Sequence, residues 1–180
     1  MLAKGSSYRV SAGRSRARRL VAALALAILI VPNTLNAQGG RFDDEMALAD
    51  LATFPKSALT IDTSRGAQAF DVWVADTPER QRQGLMFVRD LPASQGMLFV
   101  NEPPRVASFW MKNTYIPLDM LFIDARGRIV DIFANTTPLS LEPVGASTPV
   151  RAILELRGGE SERRGIRRGD RVNHPVFKKR

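Results

Sequence analysis

Lys112, Asn113 and Asp119 fall within one short stretch, Ser108 to Asp124, which reads SFWMKNTYIPLDMLFID. A lysine ammonium and an asparagine amide can hold an anionic or hydroxyl-rich ligand. Trp110 can stack on such a ligand, and Asp119 can orient Lys112 or take a proton. The same residue types support a purely architectural reading. Asn113 and Thr114 can fix a turn through side-chain-to-backbone bonds, and Asp119 can pair with Lys112 to hold it. Trp110 can equally be core. Met86 and Met97 are read as the apolar wall of the same site.

These residues must be carried at the ends of strands. Val106 to Met111 and Leu118 to Asp124 are predicted strands, with Asp124-Ala125-Arg126-Gly127 as a hairpin turn into Arg128 to Ala134. Ala58 to Thr63 and Ala69 to Ala75 alternate apolar and polar residues, as half-buried strands do. Gly96 to Val100 and Val150 to Leu156 are further strands, and Arg171 to Asn173 is a short last one. Asn101 to Arg105, with its Pro103-Pro104 pair, is expected to be a loop. Thr77-Pro78-Glu79 starts a helix that should run to about Met86 or Phe87, since it offers a hydroxyl cap, then proline, then an acid. Glu160 to Arg164 is a helical turn closed by Gly165. The sum is an α+β domain: a mainly antiparallel, curled or barrel-like sheet of about eight short strands with one or two short helices.

Composition narrows the function classes. The chain has 180 residues, is 44% hydrophobic and carries a formal net charge of +8. Six of the 26 basic residues and none of the 18 acids lie in residues 1–37, so the remainder carries only +2. The basic pI therefore describes the start of the chain. Arg163, Arg164, Arg167, Arg168 and Arg171 cluster without interleaved aromatics, which argues for a solvated face and against nucleic acid. There is no cysteine, which removes disulfides, thiolate nucleophiles and thiolate zinc sites. The sole histidine, His174, stands in a basic tail of residues 174–180 and gives no Ser-His-Asp arrangement. Met86, Met97, Met111 and Met120 are soft enough for Cu(I) but lack histidine or cysteine support, so no metal and no cofactor is implied. Glu142 and Glu155 are isolated acids, and nothing in their spacing pairs them with Asp119 or Asp124.

The first 37 residues read as a leader. Arg14, Arg16, Arg18 and Arg19 make a basic start, and Leu20 to Val31 form 12 consecutive apolar residues before Pro32. Twelve residues make about 18 Å of helix, short of the ~30 Å hydrocarbon core, which favours a cleaved signal peptide over an anchor. Cleavage is expected near Ala37, followed by a linker or short helix over residues 38–56 and one globular domain over residues 57–173. The protein is then periplasmic or secreted, and it meets a membrane only through this segment if it stays uncleaved.

An ordered series of short motifs carries a resemblance. It runs Gly84-Leu85-Met86, Leu91-Pro92, Gly96-Met97-Leu98-Phe99, Phe109 to Thr114, Ile116-Pro117-Leu118-Asp119, Val150 to Glu155 and Gly165-Ile166. This series resembles the domain of unknown function 192 family, over about residues 57 to 173. The resemblance implies a compact α+β domain, often behind a signal peptide, and no activity, since none is established for the family. Many members carry arginine where Gln81 stands, so no role is assigned to an arginine in that helix.

The function expected is an exported domain that binds a small polar ligand at Trp110, Lys112, Asn113 and Asp119, with Met86 and Met97 as the apolar wall. One alternative is a hydrolase or lyase using Asp119 and Lys112 as acid and base. The other is an accessory module that docks a periplasmic protein partner through an apolar patch around Trp73 and Trp110.

Overall fold

The computed structural model describes residues 51–178. The leader, most of the expected linker and the last two residues lie outside that range. Nine strands fall within it: β1 (Lys56–Thr63), β2 (Gly66–Ala75), β3 (Gln95–Arg105), β4 (Ser108–Phe109), β5 (Leu118–Ile123), β6 (Ile129–Phe133), β7 (Val144–Gly145), β8 (Val150–Arg157) and β9 (Arg171–Asn173). Two short helices, α1 (Pro78–Gln83) and α2 (Glu160–Arg164), and a 3-10 turn (Pro175–Phe177) complete the described fold.

Seven strands make one sheet in the order β6-β5-β8-β3-β2-β1-β9. Its pairs are antiparallel except β2 with β3, which run parallel. The sheet curls until its two edges nearly meet. Arg128, just before β6, bridges to Arg171 of β9, and the Val172 amide donates to the Gly127 carbonyl at 2.7 Å. Closure of this kind protects edges that would otherwise be open to pairing. The expected curled α+β architecture is what forms.

Strand alternation sorts the core into two clusters. Leu59, Ile61, Phe70, Val72, Leu98 and Leu154 fill one face, together with Ile129 and Val172 from the two edges that meet. Met97, Phe99, Met120, Phe122 and Ile153 fill the other. That second face is covered by irregular chain: Leu85, Val88 and Leu91 from the segment after α1, and Ala107 and Met111 from the segment around β4.

The parallel β2–β3 pair is what brings the first of these covers into place. Parallel neighbours cannot be joined by a tight turn, so residues 76–94 must cross over the sheet. α1 opens that crossover, its Thr77 hydroxyl accepting from the Arg80 amide at 3.3 Å with Pro78 in the first turn. The helix stops at Gln83, three residues short of the expected end, because Gly84 (φ 51°) caps it. Leu85 and Met86 therefore lie in the turns that follow the helix rather than on a helix face.

Three further expectations are corrected. Asn101 to Arg105 is not a loop but continues β3, with the ladder irregular between Val100 and Arg105. A proline pair fits there because no ladder amide is required of it. The strand expected over Val106 to Met111 shrinks to Ser108–Phe109, which pairs with β7 in a separate two-stranded sheet. The tail is not loose at its start. His174 Nε2 lies 2.9 Å from the Ser57 hydroxyl, and Val176 and Phe177 pack against the first cluster.

The hairpin at Asp124 forms as expected. Its carboxylate accepts from the Arg126 and Arg128 amides at 2.7 and 2.9 Å, and Gly127 takes φ 80°.

Candidate ligand-binding cleft

The crossover and the Phe109–Thr114 segment meet over the sheet, and a cleft of about 410 Å³ opens between them. One wall is Gln83, Leu85 and Met86, and the other is Phe109, Trp110 and Lys112. Phe99 and Glu155 belong to the sheet beneath. Gly84 is part of the first wall, and a Cβ there would come within 3.2 Å of the Phe99 ring. A volume of this size is ordinary for a small-molecule site. The smaller hollow of about 300 Å³ beside Lys56 and Trp73 has no buried acid among its walls.

Asn113 joins the two walls. Its backbone is left-handed (φ 55°), as is that of Phe87 opposite (φ 66°), and the Phe87 amide donates to the Asn113 carbonyl at 2.7 Å. Asparagine tolerates this conformation and phenylalanine rarely adopts it, so the joint is held by its surroundings. The Asn113 amide nitrogen lies 4.0 Å from Met86 sulfur, and Phe87 packs edge-on to Tyr115, which the Arg89 guanidinium covers. Thr114 closes the turn by donating its hydroxyl to the Lys112 carbonyl.

Trp110 is 53% exposed, with the Lys112 ammonium 5.6 Å from its ring centroid. Both stand at the mouth of the cleft. Below them Phe109 packs edge-on to Phe99 at 5.0 Å and to Phe122 at 6.4 Å, which anchors the wall behind the exposed indole.

Of the six residues expected to form the site, Trp110, Lys112 and Met86 line the cleft. Asn113 positions the wall rather than lining it. Met97 is fully buried beneath, as a core residue. Asp119 is on the wrong side of the sheet. On β5 it alternates with Met120, so it shares a face with Leu121 and Ile123, away from the cleft. Its carboxylate is spoken for: Oδ1 accepts from the Asn135 and Gly159 amides at 2.8 and 3.0 Å, and Oδ2 from the Ser161 amide at 2.8 Å. No pairing with Lys112 forms. The residue is an architectural staple that joins β5 to the start of α2.

The acid that does reach the cleft is Glu155. It sits on β8 directly across from Met97 on β3 and Met120 on β5, which fixes it on the cleft face. It is 4% exposed, and burial alone pushes its carboxyl up to about 8. Among the described residues no hydrogen bond or ion pair compensates it. Such a group ordinarily costs a fold several kcal/mol unless something meets it. The Gln83 amide nitrogen, on the crossover wall, is likewise buried with no partner. The sequence held only part of the signal for Glu155: it is a lone carboxylate inside the run VRAILEL, but alternation sets it with Arg151 and Ile153, and the flanking strands β3 and β5 are what bury it.

Glu160, a third buried acid, is different. Burial pushes it up, but hydrogen bonds from Arg163 and Arg164 outweigh that and hold it below the ordinary carboxylate range. Arg164 also donates to the Ala93 carbonyl at 2.7 Å and covers the Phe70 ring, so part of the arginine cluster is structural rather than solvated. Among the described residues no group of three or more His, Cys, Asp or Glu side chains is placed to hold a metal.

The fold and cleft together define a small α+β domain whose curled sheet is roofed by irregular segments. The chain belongs to the domain of unknown function 192 family, described as "Uncharacterized ACR", which matches residues 60–174. Two crystal structures are similar. One is a protein of unknown function from Novosphingobium aromaticivorans DSM 12444, at 39% identity and a TM-score of 0.65, covering 66% of this chain and 85% of that one. The other, from Sinorhizobium meliloti 1021, is provisionally described as a transcription regulator. It shares 37% identity at a TM-score of 0.66, covering 68% of this chain and 96% of that one. No curated protein matches the chain.

Proposed function

We propose that the chain is exported and that its folded domain binds a small polar ligand in the cleft beneath Trp110 and Lys112. The observation that carries this reading is Glu155, a buried and uncompensated acid beneath an open cleft. A fold retains such a group where a ligand meets it. An exposed indole and an ammonium at the mouth suit capture of a polar molecule. Export rests on the basic, apolar and small-residue order of residues 14–37. Among the described residues no helix is long and apolar enough to cross a membrane.

The test is a thermal-shift screen of the purified protein against sugars, carboxylates and peptidoglycan fragments. A ligand at 100 times its Kd adds about 2.7 kcal/mol of stability. The shift should vanish in Trp110→Ala and Lys112→Ala. A ligand whose shift survives both substitutions would remove the cleft from the account.

A second reading has its own observation. Leu139 and Leu141 are 55% and 64% exposed, and the Met111 amide beside Trp110 donates to the Ser140 carbonyl at 2.9 Å. This places apolar side chains next to the mouth, where a periplasmic protein partner could dock. Co-purification lost in Leu139→Asp/Leu141→Asp but kept in Lys112→Ala would favour the partner.

A further inference from the structure

We propose that the cleft takes a small carboxylate with an apolar body, met in the interior by Glu155 and Gln83 as hydrogen-bond donors and at the mouth by Lys112 and Arg82 as counter-charges. This rests on the ligand-binding reading above and names the chemistry of the ligand.

The unsatisfied groups set the polarity of the ligand. The Gln83 amide nitrogen is buried without a partner, and an N–H group can only donate, so it requires an acceptor. Glu155 keeps its proton at neutral pH because burial disfavours the charged form, and a carboxylic acid offers an O–H. Both groups line one cleft. The other polar walls are already engaged. Gln81 donates to the Val100 carbonyl at 2.6 Å and accepts from Arg105, and Thr114 donates to the Lys112 carbonyl.

Charge points the same way. The ionised groups that line the cleft are Arg82 and Lys112, both exposed and neither in an ion pair among the described residues. An ammonium ligand would meet two cations and leave the Gln83 donor unpaired. A carboxylate accepts from both interior donors and is drawn in by both cations. Leu85, Met86, Phe99 and Phe109 leave an apolar surround for the rest of the molecule.

The experiment uses the whole protein with benzoate as probe, against benzamide, benzylamine and glucose. The readouts are the Trp110 indole N–H and the Met86 methyl in NMR titrations. Benzoate should move both signals, and benzamide and benzylamine should bind about tenfold more weakly or worse. Glu155→Gln keeps a neutral donor and should hold benzoate within about threefold, whereas Glu155→Ala should lose about tenfold. Lys112→Ala, at an exposed position, should weaken benzoate and reduce its salt dependence. Tighter binding of benzylamine or glucose than of benzoate overturns the carboxylate and leaves the cleft standing. So does a Glu155→Gln variant that fails with benzoate as fully as Glu155→Ala. Silence at both signals with every probe overturns the carboxylate and the cleft together.

Discussion

Asp119 and Glu155 occupy neighbouring register positions on adjacent strands and point through opposite faces of the sheet. Asp119 of β5 stands across from Leu156 of β8, and Met120 stands across from Glu155. Both acids are buried. One is satisfied by three backbone amides and the other by none among the described residues. A one-residue step along a strand thus separates an acid that staples the fold from an acid that lines the cleft without a partner among the described residues.

The first prediction separates the two. Asp119→Ala leaves three amides without an acceptor and should destabilise the protein by about 3 kcal/mol or more in urea unfolding. Asp119→Asn keeps one oxygen and should cost less. Below the unfolding transition neither should alter ligand binding at the cleft. A cleft affinity that falls with Asp119→Asn while stability holds would return Asp119 to the site.

Glu155 gives the fold a pH dependence of defined sign. Its folded-state value of about 8 lies above the ordinary 4.5. The unfolded chain therefore releases this proton first, and stability falls as pH rises from about 5 to 8, by at most 1.36 kcal/mol per unit. His174 acts in the opposite sense. Burial holds it below the ordinary 6.5, so its contribution is lost as pH falls. Comparing wild type with Glu155→Gln isolates the glutamate. The variant should be more stable at pH 8, with the difference shrinking toward pH 5. Parallel profiles would show that Glu155 is already ionised in the folded protein.

Gly96 explains how β8 lies so close to β3 beneath the cleft. A Cβ there would fall 2.5 Å from the Glu155 carbonyl and 2.8 Å from a Leu156 methyl. Gly96→Ala should destabilise by about 1–3 kcal/mol, typical of overpacking a filled core, as measured by thermal unfolding. An alanine without penalty would mean that the β3–β8 pairing is looser than its ladder indicates.

Periodicity made most strands legible. Ala58 to Thr63, Val150 to Leu156 and the hairpin at Gly127 follow from alternation and turn chemistry alone. Asp119 did not, because a carboxylate seven residues after Lys112 in one polar stretch reads as its partner, and only the pleat places it on the far face. Glu155 carries a signal in VRAILEL, but a lone acid on a strand is more often solvated. Seeing it as buried required knowing that β8 lies between β3 and β5. The parallel β2–β3 pair is equally invisible locally, since the crossover that enforces it is mostly irregular chain.

The joint between the two cleft walls yields the last prediction. Asn113 holds φ 55° while its carbonyl accepts from the Phe87 amide at 2.7 Å. Two things could fix this joint: the left-handed backbone, or the asparagine side chain beside Met86 sulfur. Asn113→Gly relieves the backbone and removes the side chain. Asn113→Val keeps bulk but opposes the conformation, which costs a residue with a branched Cβ about 1–3 kcal/mol. If the backbone governs, Asn113→Gly should unfold within a few degrees of wild type and retain slow amide exchange at Phe87. Asn113→Val should lose stability and exchange faster there. If the two variants are equally impaired, the side chain governs, and the walls are joined through Met86 rather than through the Phe87 hydrogen bond.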